Sequence, residues 1–190
     1  YTSQYTLSLH DALPISEQPG AAEPCPVRDG GPGVVRVGPE ADHSTVAGAL
    51  RAAGRGDTVV VSPGVYRERA VIRCALTLHG EEGAVLDGGG EGTVLRVLAA
   101  GASVRGLTLR GSGENVSRED SGVLADGAPG LVVEDASLED VLFGIYLKES
   151  AEAVIRGNRV VGKDLPVNRR GDAIRLWYSP RGTIADNRVR

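Results

Sequence analysis

The chain is poor in large aromatics: one Phe and one Trp stand beside five Tyr, and Met is absent. A globule built around one thick core leans on such side chains, so that arrangement is disfavoured. No apolar run reaches the roughly 18 residues that a membrane-crossing helix needs. The net charge is −4 and the arginines are scattered, without the clustered basic footprint of a nucleic-acid binder. Only two cysteines are present, Cys25 and Cys74, and they match no zinc or redox spacing. They read as two unrelated thiols, with pairing left open for an oxidising compartment.

What is plentiful is Gly, at 27 residues, together with Val, Leu and Ala. Thin aliphatic layers joined by many turns fit that composition. Residues 1–16 stand apart. The run Thr6-Leu7-Ser8-Leu9-His10-Asp11-Ala12-Leu13-Pro14-Ile15 resembles a translated sequencing adapter and is left out of fold reasoning, so His10 and Asp11 are assigned no chemistry. The pattern stops at Arg190 in mid-repeat. The chain is therefore expected to be a fragment cut at both ends, with any signal peptide missing.

Residues 17–42, with Pro19, Pro24, Pro26, Pro32 and Pro39, read as an irregular lead-in. A short helix is expected next, with Ser44 as N-cap, Val46, Ala49, Leu50 and Ala53 on one face, and Gly54 as the stop. Thr58-Val59-Val60-Val61 is a strand ended by Ser62-Pro63-Gly64. Such a helix would cap the open end of a solenoid.

A repeat dominates residues 43–190. Four segments align, at 103–109, 132–138, 154–160 and 183–189. Their anchors are Val104, Val133, Ile155 and Ile184, followed five residues later by Leu109, Leu138, Val160 and Val189. A second strand recurs with Val123, Ile145 and Ile174, each ten residues before the next anchor. The basic coil is about 22 residues, and two coils carry a seven-residue expansion at one place. Further upstream, Val71 to Leu78, Ala84 to Leu86 and Val94 to Val97 look like earlier coils, with Leu95 and Val97 inward.

This pattern predicts an all-β, right-handed parallel β-helix. Each strand is too short to fold alone. Stacked coils pair strand on strand at about 4.8 Å per step. Each coil then buries about five aliphatic side chains, at roughly 1.5–3 kcal/mol apiece. Backbone ordering offsets most of that gain.

Asn158 and Asn187 share one column and are expected to form a hydrogen-bonded ladder. Asp87-Gly88-Gly89-Gly90 reads as a turn between coils rather than a ligand loop. His79 and Cys74 could make half a copper site. With no third ligand nearby, His79 reads as a solvated residue at a turn. The Asn115-Val116-Ser117 sequon is given no weight. The two expansions, 111–120 and 162–172, leave the helix at the same edge about 10 Å apart along the axis. Loops on one face of a solenoid are its usual binding face. Glu114, Arg118, Asp120, Asn168, Arg169, Arg170, Asp172 and Trp177 are therefore the candidate partner- or ligand-facing residues. No metal-ligand set and no catalytic motif is legible.

The run Gly56-Asp57-Thr58-Val59-Val60-Val61-Ser62-Pro63-Gly64-Val65-Tyr66 resembles the opening of many bacterial β-helix domains of the carbohydrate-binding and sugar-hydrolase type. Two further runs, 142–148 (Leu-Phe-Gly-Ile-Tyr-Leu-Lys) and 167–177 (Val-Asn-Arg-Arg-Gly-Asp-Ala-Ile-Arg-Leu-Trp), resemble the NosD family over residues 43–190. That resemblance implies a periplasmic, non-enzymatic accessory protein. It would help assemble the copper–sulfur cluster of nitrous oxide reductase. Its implied partners are an ABC-type permease and ATPase pair, a copper chaperone and the reductase. Copper handling is implied by the resemblance alone. Arg175 stands where the family is similar but carries His, and an Arg cannot ligate a metal. Two other readings stay open. One is a carbohydrate-binding or carbohydrate-cleaving β-helix, for which Asp120, Asp164 and Asp172 could supply carboxylates. The other is a passive structural solenoid.

Overall fold

The computed structural model describes residues 25–26 and 30–190; the adapter-like residues 1–16 and residues 17–24 and 27–29 of the lead-in lie outside the described residues. The described chain enters with β1 (Val34–Val37) and α1 (Val46–Ala52). Three strands then recur in each turn of the chain. They are β2 (Thr58–Val61), β3 (Gly64–Arg67) and β4 (Ala70–Ile72), then β5 (Thr77–Gly80), β6 (Ala84–Asp87) and β7 (Leu95–Val97). The next turns hold β8 (Ser103–Arg105), β9 (Thr108–Arg110) and β10 (Ser121–Asp126), then β11 (Val132–Glu134), β12 (Ser137–Val141) and β13 (Phe143–Lys148). Last come β14 (Val154–Arg156), β15 (Arg159–Gly162) and β16 (Ile174–Trp177), followed by β17 (Thr183–Ala185) and β18 (Arg188–Val189).

These strands stack into three sheets. The first is β1-β2-β5-β8-β11-β14-β17, the second β3-β6-β9-β12-β15-β18 and the third β4-β7-β10-β13-β16. The pairings are parallel throughout. The expected columns are in register: Val104, Val133, Ile155 and Ile184 pair in sequence on the first sheet. Leu109, Leu138, Val160 and Val189 do so on the second. Val123, Ile145 and Ile174 do so on the third. Upstream, Leu95 pairs with Val123 and both Leu95 and Val97 are fully buried. Val71 itself faces outward between buried Ala70 and Ile72.

One detail of the strands differs from expectation. Each segment such as 103–109 reads as a single strand, yet its anchors are an odd number of residues apart. Residues at odd spacing point to opposite faces of a straight strand. The chain resolves this by bending. Gly106, Asp135, Gly157 and Asp186 take left-handed φ values of 65°, 52°, 67° and 57°. Gly and Asp visit that region at low cost. Each segment is thus two strands on two sheets, and both anchors face the core.

The residue after each bend points into the corner. Two of these are Asn158 and Asn187. Asn158 Nδ2 donates to Val133 O (2.9 Å) and to Asn187 Oδ1 (2.9 Å), while its Oδ1 accepts from Ala136 N (3.0 Å). Asn187 Nδ2 donates in turn to Ile155 O (2.8 Å). A second ladder runs up the corner between the third and first sheets. Ser150 Oγ accepts from Ala128 N (3.0 Å), and Ser179 Oγ accepts from Ser150 N (3.0 Å).

At the entrance, α1 buries Val46, Ala49 and Leu50, with Thr45 rather than Ser44 as N-cap. Glu68 from the first coil reinforces that end: its two oxygens accept from Val46 N (2.7 Å) and Ala47 N (2.9 Å). Strand β1 lies inside the stretch read as an irregular lead-in and starts the first sheet against β2. Cys25 and Cys74 are joined as a disulfide across 49 residues, with Cα atoms 5.5 Å apart. The reading as two unrelated thiols is thereby corrected. Their spacing in sequence carried no signal because the fold, not the local chain, brings them together.

Candidate functional site

The wide connections all join the second sheet to the third. Residues 111–120 link β9 to β10, and 163–173 link β15 to β16. A third, 88–94, links β6 to β7 and includes the Gly88-Gly89-Gly90 turn. Between the two long ones, β12 passes to β13 almost directly. The loops therefore flank a strip of the third sheet's outer face.

The first long loop is braced from within. Asn115 Oδ1 accepts from Arg118 N (2.9 Å) and caps a single 3-10 turn, Val116–Arg118. Asp120 Oδ2 accepts from Asn115 N (2.9 Å) and lies 3.8 Å from Arg118. Ser112 Oγ, fully buried, accepts from Leu142 N (2.8 Å) and so ties the loop to the next coil. The second loop holds the 3-10 turn Val167–Arg169. Arg170 Nε donates to Leu165 O (2.6 Å), and Arg175 lies 3.6 Å from Asp172. A side chain at Gly171 would collide with the Leu142 carbonyl, so this loop needs glycine to pass so close.

Between the loops lies a small apolar cluster separate from the core: Leu124, Leu142, Phe143 and Tyr146, with Leu165 packed on it. These residues point outward from the third sheet yet are buried, because the loops cover them. The Arg175 guanidinium sits 5.7 Å from the Phe143 ring centre and 5.2 Å from that of Tyr146. Burial pushes the Tyr146 phenol up, and the nearby Glu119 carboxylate adds to the rise. Lys148 donates to Glu119 Oε2 at 2.9 Å, and that bond holds its ammonium above the ordinary lysine value.

The eight candidate residues take different places. Glu114 and Arg169 meet each other across the two loops at 2.9 Å. Asn168, Arg170 and Asp172 are exposed on the second loop, and Arg118 on the first. Asp120 is buried at 2 % exposure and braces its loop. Trp177, at the end of β16, is 48 % exposed and stands edge-on to Tyr178. Sequence reasoning did not single out Glu119, Lys148 or the serine ladder. The recurrence of Ser150 and Ser179 in one column was the available signal for the ladder.

Among the described residues, no three His, Cys, Asp or Glu side chains converge into a group able to hold a metal ion. Cys74 is bonded to Cys25 and offers no thiolate. His79 is exposed within β5 rather than at a turn, pointing away from the core.

Three parallel sheets, aliphatic columns and corner ladders define a right-handed parallel β-helix. The fold is shared with pectin methylesterases. One, solved in complex with a hexasaccharide, superposes with a TM-score of 0.54 at 20 % identity, over 68 % of this chain and 48 % of that one. That likeness is one of fold. No family model matches the chain. In sequence the chain resembles NosD: it is 33 % identical over 142 residues to the probable ABC transporter binding protein NosD of Pseudomonas aeruginosa. The match takes in 74 % of this chain and spans about 33 % of the relative's length.

Proposed function

We propose that the chain is the β-helical part of a periplasmic accessory protein that works with an ABC-type transporter. In this reading it assists assembly of the copper–sulfur cluster of nitrous oxide reductase and has no catalytic role of its own. The observation that carries the reading is the 33 % identity to NosD. Copper is cargo here, passed between partners. The Cys25–Cys74 disulfide supports an oxidising compartment such as the periplasm. The two clasped loops supply the docking face, because they are the exposed, charged and coil-specific part of an otherwise regular solenoid.

The test is a copper-dependent pull-down from a denitrifying periplasm with the tagged chain. Wild type is expected to recover nitrous oxide reductase or its copper chaperone, and the Arg169→Ala/Arg170→Ala variant to recover less. Equal recovery removes the loops as the docking face. No recovery by wild type removes the assembly role.

A further inference from the structure

A cleft on the outer face of the third sheet lies between residues 68–71, at the start of β4, and the first long loop. Its space is about 790 Å³, and a smaller one of about 330 Å³ shares part of its lining. Both are lined by Arg69, Gly92, Arg118 and Asp120. The cleft lies toward the entrance of the stack, where β4 is the edge strand of the third sheet.

Most of the carboxylates around it are committed, and Glu114 of the smaller space is held by Arg169. Glu68 accepts from the first amides of α1, Glu119 holds Lys148 at 2.9 Å, and Asp126 lies 3.6 Å from Arg96. Asp120 Oδ2 accepts from Asn115 N, while its Oδ1 has no partner among the described residues. The cations are not all committed. Arg69 makes no ion pair among the described residues. Arg118 has only the 3.8 Å approach to Asp120, and its side chain is 70 % exposed. Two guanidiniums therefore reach one cleft with spare donors, a pairing that suits a planar or tetrahedral oxyanion.

Two glycines let the charged side chains lie close against the loop backbones. A Cβ on Gly92, whose φ is +58°, would sit 2.5 Å from Arg69 Nη1. A Cβ on Gly113 would collide with the Asp120 carboxylate. The smaller space is walled by charged side chains and glycine, including Glu91, with no apolar floor. A ligand there needs an acidic group for the arginines and hydroxyls for Glu91 and Asp120 Oδ1.

We propose that this cleft binds a small hydroxylated oxyanion, a sugar acid or a sugar phosphate, held by Arg69 and Arg118. The site shares Arg118 and Asp120 with the first loop of the proposed docking face, but its ligand and its binding test are separate from the assembly role. The test is calorimetric titration of the 190-residue chain at low salt with galacturonate, glucose 6-phosphate and galactose. At least one acid is expected to bind at one site per chain, and galactose is expected not to. Preference for galacturonate identifies a carboxylate ligand; preference for glucose 6-phosphate identifies a phosphate. Arg69→Ala and Arg118→Ala should each weaken binding at least about tenfold. Arg159→Ala, on the second sheet, should leave it unchanged, with melting curves confirming that every variant folds. The proposal is overturned if neither acid binds saturably, if galactose binds equally well, or if the Arg69 and Arg118 variants bind like wild type.

Discussion

Arg169 Nη2 lies 2.9 Å from Glu114 Oε2, joining two loops that are 55 residues apart in the chain. The clasp spans one intervening coil, the one that carries Leu142 and Phe143. Both side chains are about half exposed, at 56 % and 47 %, so the pair contributes little to global stability. A double-mutant cycle with Glu114→Ala and Arg169→Ala should give a coupling below about 1 kcal/mol in urea melts, smaller still in high salt. Amide exchange within 111–120 and 163–173 should quicken in either variant. Unchanged exchange would mean that the loops are held by their internal bonds alone.

The disulfide should matter far more. Closing a loop of this length is worth up to about 4 kcal/mol in the chain-entropy account. Cys74→Ser, Cys25→Ser and the double variant should lose the same amount, because each removes one cross-link. Reduction of wild type should reproduce the loss. The measurement is the urea midpoint with and without reductant.

Asn158 is 1 % exposed and serves three partners. Asn158→Leu keeps most of the volume but strands Ala136 N–H and Val133 O. A loss of about 3 kcal/mol is expected, at roughly 1–3 kcal/mol for each buried group left unpaired. Asn187→Leu, nearer the end of the stack, should cost less. Equal melting temperatures for Asn158→Leu and wild type would show that the ladder is dispensable.

Position along the column should set the cost of core truncation. Ile155 is fully buried, whereas Ile184 is 47 % exposed. Ile155→Ala should lose about 2–5 kcal/mol, and Ile184→Ala well under half of that. Thermal melts of the two variants decide the matter.

Asp87 gives a pH signature. The Gly89 N–H and the Arg110 guanidinium hold its carboxyl below the ordinary aspartate value of 3.8. A group lowered on folding stabilises the native state above its unfolded value, and that contribution is lost as pH falls through the folded one. Wild type should therefore lose stability below about pH 4 more steeply than Asp87→Asn. Parallel acid curves for the two proteins would rule this out.

Much of the scaffold was legible because its determinants repeat. Val104, Val133, Ile155 and Ile184 recur at matching distances from Leu109, Leu138, Val160 and Val189, and equivalent spacing is what stacking requires. The bend between each pair was less visible. Gly106 and Gly157 announce it, but Asp135 and Asp186 have the same backbone without looking like breakers. The site was harder to read, for a different reason. Arg69, Glu119 and Lys148 belong to three different coils, and Arg69 and Arg118 line one cleft only because the coils stack. The same holds for Cys25 and Cys74, whose encounter depends on where the lead-in returns to the first coil.

One corner of the coil has a freedom that the others lack. A 22-residue step separates Ala136 from Asn158 and a 29-residue step separates Asn158 from Asn187, yet the strands on either side stay in step. Extra length between the second and third sheets is absorbed outside the wall. Segments can be grafted or trimmed there while the interior stays the same. Surface chemistry can thus diversify in one place as the supporting architecture is inherited unaltered.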